Sequence, residues 1–138
     1  MQPLLQRAAL LKLAAEEAEW LFASRDPRRI RGVLPQRPAV VVTDGGGQVA
    51  WAMGAQAGVM ASFAVSVQDS TGAGDAFLAG LLHRLCAEPE LLTSGTPEAV
   101  AAALRFAAAC GALVCQGAGA IDPQPTSAAV QAFLAAQP

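Results

Sequence analysis

A run of small residues around two carboxylates, DSTGAGDAFLAG at residues 69–80, has the residue types that could do chemistry. Gly72, Ala73, Gly74 and Asp75 follow one another where an apolar helical pattern begins. The first turn of a helix carries unpaired main-chain N–H groups and a partial positive charge, so a glycine-rich turn leading into it lets several donors converge on an anion. The stretch therefore predicts a phosphate or oxyanion cradle with an acid beside it.

Counting residues excludes several other sites. The single histidine, His83, lies eight residues after Asp75, which is about 12 Å along a helix, so the two cannot share a proton. No Lys-Ser or Lys-Thr follows the glycines, and their spacing is not G-x-G-x-x-G. Transfer of a phosphoryl group to an alcohol needs a base and main-chain donors, which Asp75 and its neighbours would supply. The alternative is that Asp75 only caps the helix.

Composition limits the class of protein. The chain has 138 residues, of which 54% are hydrophobic and 14% charged, with a net charge of -2, so we expect one domain with a well-buried core and no nucleic-acid partner. Three cysteines without a C-x-x-C pair argue against a disulfide framework and a thiolate zinc site. Charged residues interrupt the apolar N-terminal stretch, so no membrane span is expected there. The predicted compartment is the cytoplasm, with a plastid or another organelle as the alternative.

The elements that must position these residues follow from periodicity and from punctuation by glycine and proline. Residues 3–23 are compatible with a helix or with a helix broken by an extended piece near 11–13, and residues 25–38 are predicted to form a connection. The other predicted elements are strands at 39–43, 48–53 and 61–67, a turn at 43–47, and helices at 73–85, from Thr96 to about Gly117, and from Thr126 to about Ala136. Strands followed by helices indicate an α/β sandwich.

Over residues 69–80 the pattern D-S-T-G-A-G-D-A-F-x-A-G resembles the second signature of the ribokinase/PfkB family of carbohydrate kinases. The resemblance implies ATP-dependent phosphorylation of a hydroxyl of a sugar or sugar-like alcohol. Asp75 would be the catalytic base, and Gly72, Ala73 and Gly74 would form the anion hole. Asp69 and the Thr71 carbonyl would bind a monovalent cation, usually K⁺, completed by the backbone of residues 115–120.

Three other segments resemble the same family in order along the chain. LKLAAEEAEWL resembles the N-x-x-E segment, in which Glu17 would help to organise Mg²⁺ through water, although Ala14 stands where the family has Asn. VVVTDGGGQVAW resembles the T-x-G-x-x-G turn, which implies that Thr43 and Gly45 contact the nucleotide, with Gln48 at the place of the last glycine. The segment around Ala108 and Gly111 resembles the last nucleotide-binding helix, near the adenine.

Members of this family are longer than this chain. The resemblance therefore implies that residues 1–138 are the C-terminal, ATP-binding portion of a PfkB-type domain: half of a doubly wound, ribokinase-like sheet flanked by helices, without the N-terminal half that holds the substrate and its lid. The strand edge left open would be covered by a second copy of the chain or by a partner that supplies the missing half. The alternatives are a nucleoside kinase of the same family and a non-catalytic module that binds nucleotide or a partner.

Overall fold

The computed structural model describes residues 2–138, which form two compact units. The first contains the residues up to Ala61 together with Pro89–Val100, and the second contains Ser62–Glu88 and Ala101–Pro138. The elements in chain order are α1 (Gln2–Leu5), β1 (Leu10–Ala14), α2 (Ala15–Phe22), α3 (Pro27–Val33), β2 (Ala39–Thr43), β3 (Gln48–Met53), β4 (Gln56–Ala61), α4 (Ala73–Ala87), a 3₁₀ turn (Pro89–Leu92), α5 (Pro97–Cys115) and α6 (Ser127–Ala135).

The first unit is built on a four-stranded sheet in the order β1-β2-β3-β4. β1 and β2 are parallel, whereas β2 with β3 and β3 with β4 are antiparallel. Val40 and Val42 of β2 face a core that Ala18 of α2 and Ile30 of α3 complete. The predicted strand at 39–43 is confirmed, and the α/β class is confirmed with it.

The N-terminal segment adopts the broken form of its two predicted alternatives. Residues Leu10 to Ala14 pair in parallel with Ala39 to Thr43, so long-range pairing decides between helix and strand where periodicity could not. A carboxylate oxygen of Glu17 then accepts the Ala14 N–H at 2.8 Å. That bond satisfies one of the free donors at the start of α2.

The prediction of a plain connection at 25–38 was wrong, because α3 forms there. Asp26 is its N-cap, and the side chain accepts the Arg28 N–H at 2.9 Å, while Pro27 occupies the first helical position. Ile30 is buried and fixes the helix against the core. An N-cap acid followed by proline is a helix start signal, and the density of arginines obscured it.

The prediction of a strand at 61–67 was also wrong, because the outer strand is β4 at Gln56–Ala61. Met53 pairs with Gln56 across a two-residue turn whose first residue, Gly54, has φ +59°. A tight hairpin brings the chain straight back into the sheet. Phe63, which suggested strand alternation, instead packs in the second unit, edge to face with Phe133 at 5.1 Å between ring centroids.

The second unit is formed by α4, most of α5 and α6, and the three predicted helices are confirmed. Phe106, Cys110 and Val114 of α5 form its core with Ala76 of α4 and Val130 of α6. The caps are those predicted from the sequence: the side chain of Thr96 accepts the Ala99 N–H and that of Thr126 accepts the Ala129 N–H, each at 3.2 Å.

Among residues 2–138, one helix, Pro97–Cys115, is long and apolar enough to cross a membrane, and half of its apolar window is buried inside the protein. A core helix of a globular protein passes the same test. The helix is therefore weak evidence for a membrane span.

Candidate active site

The carboxylate of Asp69 organises the turn that precedes α4. Its Oδ1 accepts the Thr71 N–H at 2.9 Å and the Thr71 hydroxyl at 2.6 Å, and its Oδ2 accepts the Gly119 N–H at 3.0 Å. The Thr71 hydroxyl, the Thr71 N–H and the Gly119 N–H, in that order, hold the pKa of the Asp69 carboxyl below its ordinary value, because each stabilises the anion. Asp69 is therefore an anion at neutral pH.

The main chain ties the same turn to the end of α5. The carbonyl of Cys115 accepts the N–H groups of Gln68 and Asp69, at 2.7 and 3.2 Å. Burial, together with the negative charge of Asp69, raises the pKa of the Cys115 thiol. The turn and the loop that follows α5, residues 116–122, are thus joined by hydrogen bonds from both main chain and side chain.

Gly72 is the N-cap of α4 and has φ +79°, a left-handed conformation that glycine adopts without steric cost. A Cβ built on it would lie 2.7 Å from the Cβ of Ala120, so no other residue fits there without a shift. The Ala73 N–H donates to the Ser70 carbonyl at 3.2 Å. Glycine is therefore required at this position both by conformation and by space.

The first turn of α4 presents free donors next to a free carboxylate. Within residues 2–138, neither Gly74 nor Asp75 donates its main-chain N–H to another residue, as expected for the first turn of a helix. The Asp75 side chain is exposed and makes no hydrogen bond or ion pair with any described residue. The alternative that Asp75 only caps α4 is therefore not supported, because it bonds to no main-chain N–H.

Ala108 and Gly111, the residues of α5 predicted to lie near the adenine, are both buried. A Cβ on Gly111 would approach the Ala73 carbonyl oxygen to 3.0 Å. The glycine thus lets α5 pass close to the first turn of α4. This packing brings Gly111 together with the predicted anion hole, whereas its contact with a nucleotide stays a prediction.

The first unit holds the other predicted site residues. Thr43 ends β2. In the turn after it, the Asp44 N–H donates to the Gln48 carbonyl at 2.9 Å and the Gly47 N–H donates to the Asp44 carbonyl at 2.7 Å. Gly45 is exposed and has φ +45°. Glu17 is exposed, and one of its carboxylate oxygens accepts the Ala14 N–H, so a role in organising Mg²⁺ stays a prediction beside this structural one.

Sequence reasoning did not identify the contacts that Gly119 and Ala120 make with the turn. The backbone of residues 115–120 was expected near Asp69, but not the hydrogen bond from the Gly119 N–H or the steric contact of Ala120 with Gly72. The glycines around position 118 were the available signal. Among residues 2–138, no cluster of three or more His, Cys, Asp or Glu could hold a metal ion, and His83 is exposed and stacks on Phe106 at 5.7 Å.

The chain is similar to known proteins in both sequence and structure. Residues 1–127 match the family described as pfkB family carbohydrate kinase. The chain is 35% identical over 133 residues to the probable fructokinase-6, chloroplastic, of Arabidopsis thaliana, which covers 94% of the chain and 34% of that protein. The chain therefore spans about a third of the length of this relative.

Three solved structures that are similar to this chain are also fructokinases. The fructokinase of Vibrio cholerae O395, in a form with bound fructose, ADP and calcium ion, superposes with a TM-score of 0.80 at 30% identity, covering 96% of this chain and 43% of that one. A double mutant of that enzyme with fructose, ADP and potassium ion gives a TM-score of 0.78, with the same identity and coverage. The fructokinase of Xylella fastidiosa with bound ATP gives 0.79 at 31% identity, covering 95% and 44%.

Proposed function

The chain belongs to the pfkB family of carbohydrate kinases, and from that premise we propose that it is the nucleotide-binding and catalytic-base portion of an ATP-dependent kinase that phosphorylates a hydroxyl of a sugar. One observation carries the proposal: the exposed, unpaired carboxylate of Asp75 lies in the same helical turn as the free N–H groups of Gly74 and Asp75. A base and an anion cradle within one turn are what phosphoryl transfer to an alcohol requires.

In this proposal Asp75 accepts the proton of the substrate hydroxyl. The oxygen forms a bond to the γ-phosphorus of ATP, the bond from that phosphorus to the β,γ-bridging oxygen breaks, and ADP leaves with its electron pair. Gly72, Ala73 and Gly74 shape the turn, and its free N–H groups donate to the transferring phosphoryl oxygens. Donors that are held in place before the reaction stabilise the developing charge without reorganisation.

Thr43, Gly45, Ala108 and Gly111 are the proposed nucleotide contacts. Because the described residues form no carboxylate cluster for a divalent cation, Mg²⁺ is proposed to arrive with the nucleotide phosphates, as is usual for this ion, with Glu17 acting on it through water. The Asp69 carboxylate could also contact a monovalent cation. Its two oxygens offer about four acceptor sites, and the three donors described above occupy three of them. K⁺ would bind there with the Thr71 carbonyl and steady the turn.

Fructose is the first acceptor to test, since the relatives named above are fructokinases. The cytoplasm remains the proposed compartment, with a plastid as the alternative that the name of the Arabidopsis relative suggests. Residues 1–138 are proposed to be the C-terminal portion of the kinase domain. The remaining sheet edge would be covered by that domain's other half or by a second copy of the chain.

The test is acceptor-dependent formation of ADP by the protein expressed from its complete gene. Replacing Asp75 with Asn removes the base, keeps the shape and is expected to lower kcat by roughly a hundredfold or more, while ADP affinity changes little. Glu98→Gln is the matched control, because Glu98 is an exposed acid in the first turn of α5, and it should leave kcat unchanged.

The outcomes separate the alternatives. Turnover of adenosine but not of fructose or ribose would identify a nucleoside kinase. Binding of ADP without acceptor-dependent turnover would leave a nucleotide-binding module, and an Asp75→Asn variant with full kcat would show that another group is the base.

A further inference from the structure

The side chain of Thr71 makes a hydrogen bond to which the function proposed above assigns no role in catalysis. Its hydroxyl donates to Asp69 Oδ1 at 2.6 Å, beside the Thr71 N–H on the same oxygen, while Asp69 Oδ2 accepts the Gly119 N–H. Asp69 and Gly119 are fifty residues apart in sequence. We call the hydrogen bond from the Gly119 N–H to Asp69 Oδ2 the Asp69 bridge.

We propose that Thr71 is a positioning residue: its hydroxyl orients the Asp69 carboxylate so that the bridge to Gly119 forms and holds the anion-hole turn in its working geometry. The inference rests on the proposed kinase function and gives the Thr71 side chain a role at that same site. In this role the Thr71 hydroxyl acts on the anion-hole turn through Asp69 and Gly119.

The hydroxyl is needed because the terminal torsion of an aspartate is soft. Rotation of a carboxylate about its last bond has a broad, roughly two-fold profile, so it is not fixed by rotamer preference. The Thr71 N–H alone gives Oδ1 one donor. A second donor from the same residue fixes the plane of the carboxylate, and Oδ2 is then directed towards the Gly119 N–H.

The bridge has consequences for the anion hole because Gly119 adjoins Ala120, whose Cβ limits the space at Gly72. Displacement of the loop at Gly119 would therefore move Ala120 and disturb its packing against the N-cap of α4. Small misplacements of donors reduce catalysis much more than binding. Loss of the bridge should accordingly lower kcat and leave the KM for ATP nearly unchanged.

Loss of the hydroxyl should not unfold the protein. The Cys115 carbonyl still accepts the N–H groups of Gln68 and Asp69, and Gly72 still meets Ala120. Valine has almost the shape of threonine and lacks only the donor, so Thr71→Val removes one hydrogen bond at an exposed position.

The experiment compares Thr71→Val with Thr71→Ser, which restores the hydroxyl, and with Thr93→Val, an exposed threonine whose hydroxyl makes only a 3.4 Å contact with the Glu90 carbonyl. Each variant is made in the protein expressed from its complete gene. The measurements are kcat and KM for ATP, and hydrogen exchange of the Gly119 amide by NMR, which reads the bridge without any turnover.

Thr71→Val is expected to lower kcat roughly tenfold or more and to speed exchange at Gly119, whereas Thr71→Ser recovers most of both and Thr93→Val changes neither. An unchanged exchange rate of the Gly119 amide in Thr71→Val would show that the Thr71 hydroxyl is not needed for the bridge. Faster exchange with unchanged kcat would overturn the positioning role. If the wild-type protein shows no acceptor-dependent turnover, the proposed function fails, and the Gly119 exchange rates then decide the bridge by themselves.

Discussion

Replacing Gly72 with alanine should damage the protein for two separable reasons. The left-handed backbone at φ +79° costs an L-residue about 1–2 kcal/mol. The new Cβ would also lie 2.7 Å from the Cβ of Ala120, and forcing a methyl group into filled space costs about 1–3 kcal/mol. The free energy of unfolding should therefore fall by about 2–5 kcal/mol in total.

Gly119→Ala isolates the first of these contributions. Gly119 has φ +76°, and a Cβ there would meet nothing within 4 Å, so we expect only the backbone cost of about 1–2 kcal/mol. The entropy that alanine removes from the unfolded chain is the same for both variants and cancels in their comparison. The difference between the two variants is then the cost of the contact with Ala120.

Urea unfolding of the wild type, the two variants, Ala120→Gly, and Gly72→Ala combined with Ala120→Gly measures the contact directly. Ala120→Gly removes the atom nearest to the new methyl group but leaves the Ala120 Cα at 3.1 Å, so the double variant should regain part of the steric cost of about 1–3 kcal/mol relative to Gly72→Ala, after correction for the single Ala120→Gly change. If Gly72→Ala is no less stable than Gly119→Ala and shows no coupling with position 120, the steric argument is refuted.

Two further predictions concern other parts of the molecule. Gly58→Ala should lower the free energy of unfolding by about 1–3 kcal/mol in urea, because a Cβ there would lie 2.5 Å from the Trp51 ring; an unchanged stability would mean that the indole moves freely. Labelling with a thiol reagent should modify the exposed Cys86 first, and Cys110 and Cys115 more slowly. Burial raises the pKa of both slow thiols, so their labelling should continue to accelerate as the pH rises beyond the ordinary thiol pKa, and equal rates for all three at neutral pH would contradict this.

The elements that the sequence predicted well are those that carry their own boundary signals. The strand at Ala39–Thr43 is β-branched and bounded by proline and aspartate, and α5 and α6 begin at threonine caps that the structure confirms. These signals are local. Because cap and propensity act within a few residues, they can be recognised before any tertiary contact is known.

The two wrong predictions have a different origin. Residues around Phe63 alternate as a strand would, but that ring is needed in the core of the second unit, where it packs on Phe133. Around α3 the arginines suggested a loop and obscured the local start signal of Asp26 and Pro27, and Ile30 is buried against the core. Alternation and charge describe which residues are buried, and they do not identify the partner that buries them.

The candidate site likewise has one part that the sequence predicted and one part that it could not. The types and order of Gly72 to Asp75 predicted an anion cradle at a helix start, and the structure has free donors and a free carboxylate there. The link from Asp69 to Gly119 could not be predicted from spacing. It joins residues fifty positions apart, and only the fold brings the loop after α5 to the turn before α4.

The position of the turn that begins α4 depends on how closely α4 and α5 approach. A Cβ on Gly111 of α5 would lie 3.0 Å from the Ala73 carbonyl, and a Cβ on Gly80 of α4 would lie 2.7 Å from the Cys110 sulfur. Glycine at both contacts lets α4 and α5 approach closely, since a Cβ on Gly111 would crowd the backbone of α4 and a Cβ on Gly80 would crowd the Cys110 side chain. Asp75 lies on α4 between these two contacts, so packing against α5 holds the backbone that carries it. The loop that holds Asp69 through Gly119 begins at the end of that same helix, and one packing interface therefore supports both the proposed base and the proposed bridge.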